Sequence, residues 1–232
     1  MDGKDLIKKV KEDGVKFLSL QFSDVTGAVK SLDMPVRHVE DILKDGAWFD
    51  GSSVEGFARI QESDMRLLID PDTYAVLPWS AADSKRARVF CDIHMPNGDP
   101  FEGDPRGTLK RQLKRIEEKG WTFNLGPEPE FFLFKGTNGH GVHPVPHDAG
   151  GYFDFSSFDE AVTVRTALMS ALDAMGLDVE VGHHEVAIGQ HEIDFRFADA
   201  LKTADRLIAT KEFGTQSQEV ASDLYQISAK AN

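Results

Sequence analysis

The run Gly126-Pro127-Glu128-Pro129-Glu130-Phe131-Phe132-Leu133-Phe134 constrains this chain more than any other stretch. Nothing in it favours a helix, and its aromatic content reads as a β-strand. Side chains alternate between the faces of a strand. Glu128 and Glu130 therefore share a face with Phe132 and Phe134, while Phe131 and Leu133 point into a core. Neighbouring carboxylates repel, and nearby apolar bulk raises the cost of charging them. A divalent cation relieves both problems, because carboxylates are hard oxygen ligands suited to Mg²⁺ or Mn²⁺. Taken alone, the pattern also fits an exposed strand carrying two solvated glutamates.

A second stretch adds carboxylates. Residues 177–197 read as two strands around Gly189-Gln190, paired antiparallel. In the first, His183, Glu185 and Ala187 share a face. In the second, Ile193, Phe195 and Phe197 form one face, and Glu192, Asp194 and Arg196 the other. Glutamates from these strands converging on Glu128 and Glu130 would build an all-carboxylate metal site of the phosphoryl-transfer type.

Composition narrows the partners. The 232 residues carry 26 Lys+Arg against 39 Asp+Glu, a formal charge of −13. That balance argues against nucleic acid or an anionic membrane, but leaves room for a phosphate-bearing ligand whose charge a metal neutralises. The only cysteine is Cys91, so an intramolecular disulfide and a thiolate cluster are excluded. The first residues lack an apolar signal core, and no apolar run reaches the length of a membrane span, which reads as a cytoplasmic protein.

The N-terminal third predicts a helix over 5–13 stopped by Gly14, a strand over 15–22, a turn at 24–27 and a strand over 28–32. Pro35 is placed to open a helix running to Asp45, with Gly46 as its stop. Residues 48–64 read as a loop. Strands near 66–70, 74–78 and 87–95 complete a β-grasp-like sheet. The turn-rich stretch 96–104 is the expected domain boundary, giving domains at 1–98 and 104–213. Asp104 caps a helix that starts at Pro105 and ends near Gly120, and its Lys/Arg residues read as a solvated face. His140, His143 and His147 read as loop histidines. Helices follow over 159–175, with Val162, Leu168, Leu172 and Met175 suited to burial, and over 199–213. Residues 214–232 read as a divergent, poorly packed tail that leaves an edge of the sheet uncovered.

Several of these residues carry a family resemblance. Gly126–Phe134, His183-His184-Glu185-Val186-Ala187, Gly189-Gln190-His191-Glu192-Ile193-Asp194 and Trp48-Phe49-Asp50-Gly51-Ser52-Ser53 resemble bacterial and archaeal type I glutamine synthetase. The resemblance runs from about residue 5 to about residue 205. It implies an α+β fold: a β-grasp domain followed by an incomplete catalytic domain, an antiparallel sheet with flanking helices. The implied activity is ATP-dependent ligation of ammonia to the γ-carboxylate of glutamate through a γ-glutamyl phosphate, with Mg²⁺ or Mn²⁺, in a ligase of glutamine biosynthesis that assembles as a homo-oligomer of stacked rings.

The resemblance also implies roles for individual residues. Glu130, Glu185 and Glu192 hold the metal nearer the amino-acid substrate, and Glu128 helps hold the metal on the nucleotide phosphates. Glu180 and Phe197 lie near the nucleotide, where a strand-surface glutamate and a core phenylalanine are comparable readings. Tyr152 lines the ammonium pocket, or is a buried loop tyrosine. Asp50 belongs to a loop that reaches the neighbouring subunit and helps deprotonate ammonium; its Gly-Ser-Ser context also fits a simple Asx turn. Arg59 resembles a feedback-sensing arginine. His183 and His184 read as hydrogen-bond partners behind the ligands. The later metal ligands and phosphate-binding arginines of the family have no counterpart after Asp205. The chain is therefore expected to be inactive alone. The alternatives are a non-catalytic binding or assembly fragment, or a related γ-glutamyl–amine ligase.

Overall fold

The structure is a computed structural model. It describes residues 1–54, 56, 64–135, 145–155, 161–220 and 225–229, with the backbone alone beyond residue 211. The chain divides into two compact units, Met1–Phe123 and Asn124–Asn232.

In the first unit, α1 (Gly3–Glu12) starts two residues earlier than expected. The Asp2 side chain accepts the N–H groups of Lys4 and Asp5, and Asp5 reaches back to the Asp2 backbone, a capping box. Then come β1 (Phe17–Ser23) and β2 (Val29–Pro35). Pro35 closes β2 rather than opening a helix; a 3₁₀ turn over Val36–His38 intervenes before α2 (Val39–Asp45). Gly46, at φ +75°, ends that helix as expected. β3 (Ala47–Asp50) lies where a loop was expected, because residues 47–50 pair with β4 (Asp64–Ile69). β5 (Ala75–Val76) and β6 (Arg86–His94) follow.

The sheet runs β2-β1-β6-β4-β3, with β5 added to β6. β1 and β6 are parallel, and the other pairs are antiparallel. This central pair is the part buried on both faces, so even Ser19 and Gln21 of β1 are enclosed. Leu6 and Val10 of α1 pack on Leu18, Leu20, Leu67 and Val89 to form the core.

α3 (Pro105–Glu117) belongs to this unit and is capped by Asp104, whose Oδ1 accepts the Arg106 N–H at 3.0 Å. Its basic residues are not simply a solvated face. Arg106 is almost enclosed and donates to Asp70 and Asp92, at 2.7 Å each, while Lys110 donates to Asp92 at 2.6 Å. These pairs fasten the helix to the edge of β4 and to β6. Arg111, Lys114 and Arg115 are exposed.

The second unit opens with β7 (Asn124–Leu125) and β8 (Glu130–Lys135), continues through α4 (Val162–Ala174), β9 (Val179–His184), β10 (Gln190–Phe195), β11 (Ala198–Asp199) and α5 (Ala200–Val220), and includes β12 (Tyr225–Ala229). β7 pairs with β11. The main sheet is antiparallel throughout, in the order β12-β8-β10-β9. Pro127 and Pro129 lack N–H groups, so β8 proper begins at Glu130. Their carbonyls still accept from Phe195 and Ile193 of β10. Leu168, Leu172, Ile193 and Leu133 fill the core, but Val162, expected inside, is exposed at the start of α4. Of the anticipated tail, residues 214–220 continue α5, and β12 covers the edge of β8 from Phe131 to Lys135.

Candidate metal centre

β8, β10 and β9 place one row of residues across the sheet. Glu192 is registered opposite Glu130 on one side and His183 on the other. Strand alternation then puts Glu130, Glu192 and His183 on one face, and Phe131, His191 and His184 on the opposite, buried face. Glu185 follows β9 at the turn into β10, where its N–H donates to the Gln190 carbonyl.

Ligand atoms of His183, Glu185 and Glu192 all lie within 4.8 Å of one another. His183 Nδ1 donates to the His184 carbonyl at 3.1 Å, which leaves Nε2 as its lone-pair atom, 3.6 Å from Glu192 Oε2. Glu185 is steadied by the Val186 N–H, which donates to Oε2 at 2.8 Å. Burial, a hydrogen bond with Glu185, and the charges of Asp194, Glu185 and Glu128 push the Glu192 carboxyl up to about 8. Two carboxyl groups and an imidazole that close together fit a divalent cation, whose oxygen ligands sit about 2.0–2.6 Å from it. His183 thus joins the group directly, although the sequence placed it behind the ligands.

Glu130 sits beside this group. Its Oε2 accepts from Gln190 Nε2 at 2.6 Å, and Gln190 Oε1 accepts from the Ala187 N–H at 3.0 Å. Gln190 therefore orients Glu130 toward the turn, a role that the sequence did not assign. Glu128 is exposed between the two prolines. Glu180 is exposed and lies at the irregularity of the β9–β10 ladder, where Asp194 pairs with Val181 and Phe195 with Val179, so it is left without a cross-strand partner. Phe197 does not share the buried face of Ile193 and Phe195. β10 ends at Phe195 after a register shift at Asp194/Phe195, and Phe197 is 63% exposed.

Tyr152 is not a buried tyrosine. It is 55% exposed and stacks on Phe153, with ring centroids 4.0 Å apart. Both rings present to the His183 imidazole, Phe153 edge-on at 4.7 Å and Tyr152 at 5.5 Å. Phe153 holds φ +59°, uncommon for a bulky residue, and its N–H donates to the His184 carbonyl. These aromatics flank the cluster.

Asp50 adopts the Asx-type turn. Its Oδ1 accepts from the Ser52 N–H at 2.9 Å and from the Ser52 hydroxyl at 2.6 Å; these bonds hold its carboxyl below the usual range. Its exposed position leaves that carboxylate available on the surface of its own unit. Arg59, His140 and His143 lie outside the described residues. His147 lies in a loop, as read from the sequence, but is fully buried.

The turn between β9 and β10 depends on Gly189. Its φ is +71°, and a Cβ there would stand 2.9 Å from the Leu133 carbonyl. Gly189→Ala is expected to destabilise the second unit by about 1–3 kcal/mol, read as a drop in melting temperature; an unchanged melting temperature would show the turn to be less constrained.

The two units together make an α+β chain: a sheet of the β-grasp kind followed by an antiparallel sheet that presents acidic and imidazole side chains able to hold a metal ion. Comparison with known proteins shows the family. Residues 14–96 match the family model described as glutamine synthetase, beta-grasp domain, and residues 102–223 match the one described as glutamine synthetase, catalytic domain. The chain belongs to the glutamine synthetase family. It is 48% identical to glutamine synthetase of Methanosarcina mazei over 208 residues, 89% of this chain and 46% of that protein. The Staphylococcus aureus glutamine synthetase is 48% identical over 204 residues, 88% of this chain and 46% of that protein. The chain thus spans about half the length of the curated relatives it matches. Among solved structures, a GmaS/ADP complex superposes with a TM-score of 0.80 at 26% identity, over 97% of this chain and 51% of that one. The Plasmodium falciparum glutamine synthetase, at TM-score 0.86, 21% identity and 98% and 50% coverage, shares the fold. The match to residue 223 extends past the point where the sequence reading ended the resemblance.

Proposed function

We propose that this chain carries the amino-acid-side half of a glutamine synthetase site, which ligates ammonia to the γ-carboxylate of glutamate at the expense of ATP through a γ-glutamyl phosphate. The observation that carries this reading is the convergence of Glu185, Glu192 and His183 on one sheet face, next to Glu130. Those residues fit Mg²⁺ or Mn²⁺, which when bound supplies positive charge for phosphoryl and carboxylate oxygens. Glu185, Glu192 and His183 would hold it, with Glu130 oriented alongside by Gln190. Glu128, farther along the same chain segment, is assigned to the nucleotide phosphates, and Glu180 and Phe197 to the nucleotide's surroundings. Tyr152 is assigned to the ammonium pocket, where an aromatic face attracts a cation. Asp50 is assigned to ammonium binding and proton removal in a neighbouring subunit of a homo-oligomer. Among the described residues no helix is long and apolar enough to cross a membrane, and the acidic balance opposes nucleic-acid partners.

The reading is tested by titrating Mn²⁺ into the purified chain by calorimetry. Glu185→Gln is expected to weaken binding at least about tenfold, and unchanged affinity would refute the assignment. A second reading rests on the share of the relatives that is covered. Half of a phosphoryl-transfer site lacks the clamps that its remainder supplies. The 232-residue chain assayed alone with glutamate, ammonia and ATP is therefore expected to make no glutamine, acting at most as a binding or assembly unit. Turnover by the homogeneous chain would overturn this, and turnover with another amine only would point to a related γ-glutamyl–amine ligase.

A further inference from the structure

Behind the candidate metal centre, on the buried face of the sheet, lies a second group of polar side chains. Asp148, His147, His184 and His191 are packed there, with each imidazole and the Asp148 carboxylate almost completely enclosed. Ligand atoms of His147, Asp148 and His191 converge within 4.8 Å, which raises the question of a second cation. The proton inventory answers it. Arg165 Nη1 lies 3.0 Å from His191 Nδ1, and a guanidinium only donates. Nδ1 of His191 is therefore the acceptor, its Nε2 carries the ring proton, and a fixed positive charge already stands at the cluster. A cation is disfavoured on both counts.

The bonds of Asp148 show what the cluster does instead. Its Oδ1 accepts from the Gly189 N–H at 2.9 Å and the Gly150 N–H at 3.3 Å, and lies 3.2 Å from His184 Nε2. Its Oδ2 lies 2.8 Å from His147 Nε2. The far side of His184 donates from Nδ1 to the Glu185 carbonyl at 2.6 Å; since Nε2 faces the Asp148 carboxylate, both ring nitrogens donate in this arrangement, as an imidazolium paired with Asp148. His147 Nδ1 reaches the Leu133 carbonyl of β8 at 3.2 Å. One carboxylate thus grips both ends of the β9–β10 turn: Gly189 directly, and the Glu185 peptide through His184. The same oxygen holds Gly150, where the segment carrying Tyr152 and Phe153 begins.

We propose that Asp148 is a positioning residue, a buried acceptor that locks the Glu185-bearing turn to the aromatic segment over His183. The proposal rests on the reading that Glu185, Glu192 and His183 hold a divalent cation. Its physical basis is that ligands on a turn keep their separation only if both ends of the turn are fixed, and that residues behind metal ligands tune affinity without touching the ion.

The test compares Asp148→Ala and Asp148→Asn in the whole 232-residue chain, by Mn²⁺ calorimetry with circular dichroism as the check on folding. Asp148→Ala is expected to lower Mn²⁺ affinity by about 10–100-fold. Asparagine keeps an oxygen acceptor at the Oδ1 position and is expected to restore most of that loss, a rescue that a merely space-filling role would not need. Wild-type affinity in Asp148→Ala, or equal losses in both variants, would overturn the proposal. Should the alanine variant fail to fold, Mg²⁺ titration of the wild-type chain followed by amide NMR decides. The Gly150 and Gly189 amides are expected to shift with the same midpoint as Glu185, and silent Gly150 and Gly189 amides would overturn the clamp. A Glu192→Ala control separates the two levels. If it binds Mn²⁺ like wild type, the cation reading itself has failed; if it loses binding while Asp148→Ala does not, only the positioning role has.

Discussion

Glu192→Gln is expected to erase most of the stabilisation that Mg²⁺ gives this chain, together with a pH dependence whose sign follows from the fold. Without a cation the Glu192 carboxyl titrates near 8, against 4.5 for an unperturbed group, because it is buried and shares a hydrogen bond with Glu185. Between those values the folded chain binds more protons than the unfolded one. Its stability is then fully present below about pH 4.5 and falls as the pH rises toward 8. A divalent cation meets the opposite trend, since at low pH it must displace the shared proton and at high pH it finds two carboxylates ready. The rise in melting temperature on adding Mg²⁺ is therefore expected to grow between pH 5 and pH 8. With the ion at about a hundred times its dissociation constant, the gain is about 2.7 kcal/mol, or about 5–10 °C. Scanning fluorimetry across that range, with and without Mg²⁺, reads both quantities. A pH-independent increment in the wild type, or an undiminished one in Glu192→Gln, would contradict the arrangement of the cluster.

The second large effect belongs to the other unit. Arg106→Ala is expected to cost about 3–5 kcal/mol, because it strands Asp70 and Asp92 at the foot of α3. Burial alone would raise the Asp70 carboxyl, but the hydrogen bond and charge of Arg106 hold it below the usual range. Lys110 remains nearby and contacts both acids, at 2.6 Å and 3.6 Å. It is more exposed and lacks the planar fork, so its compensation is partial. The deficit is expected to shrink as the pH falls through the carboxylate range, where the stranded acids become neutral. Chemical denaturation at pH 7 and at pH 4 measures the difference. A loss below about 1 kcal/mol at pH 7 would place this pair among weak surface ion pairs.

The parts of this protein that follow a short repeat were legible in its sequence. Alternation put Glu130 opposite the Phe131 and Leu133 face, and made Ile193 and Phe195 core residues facing away from Glu192. Gly46, Gly120 and Gly176 marked the ends of helices because each takes a positive φ. What escaped depends on partners distant in sequence. Pro35 looks like the start of a helix until its register with Phe17 shows it closing a strand. Residues 47–50 look like loop until β4 pairs with them. Arg106 and Lys110 look like solvated charge until Asp70 and Asp92 are placed beneath them. The cluster shows the same limit. The sequence suggests His184 as a hydrogen-bond partner behind the ligands, but only the fold brings Asp148, His147 and His191 to it. The role of Gln190 in orienting Glu130 likewise needed the two strands in register.

The middle of the first sheet has a consequence for how the chain acquires its structure. Its two innermost strands, β1 and β6, come from opposite ends of the unit and lie parallel, with Phe17 registered on Arg86. Such a pair cannot zip from a hairpin. The long intervening segment must be looped before the first central bond forms, and that entropy is lost before burial returns it. During synthesis the early β1–β2 hairpin must therefore wait, with Leu18, Leu20 and Phe22 uncovered, until residues 86–94 have emerged. Assembly of this unit is thus set by the arrival of one late strand, and any delay there prolongs the life of an apolar intermediate open to association with other chains.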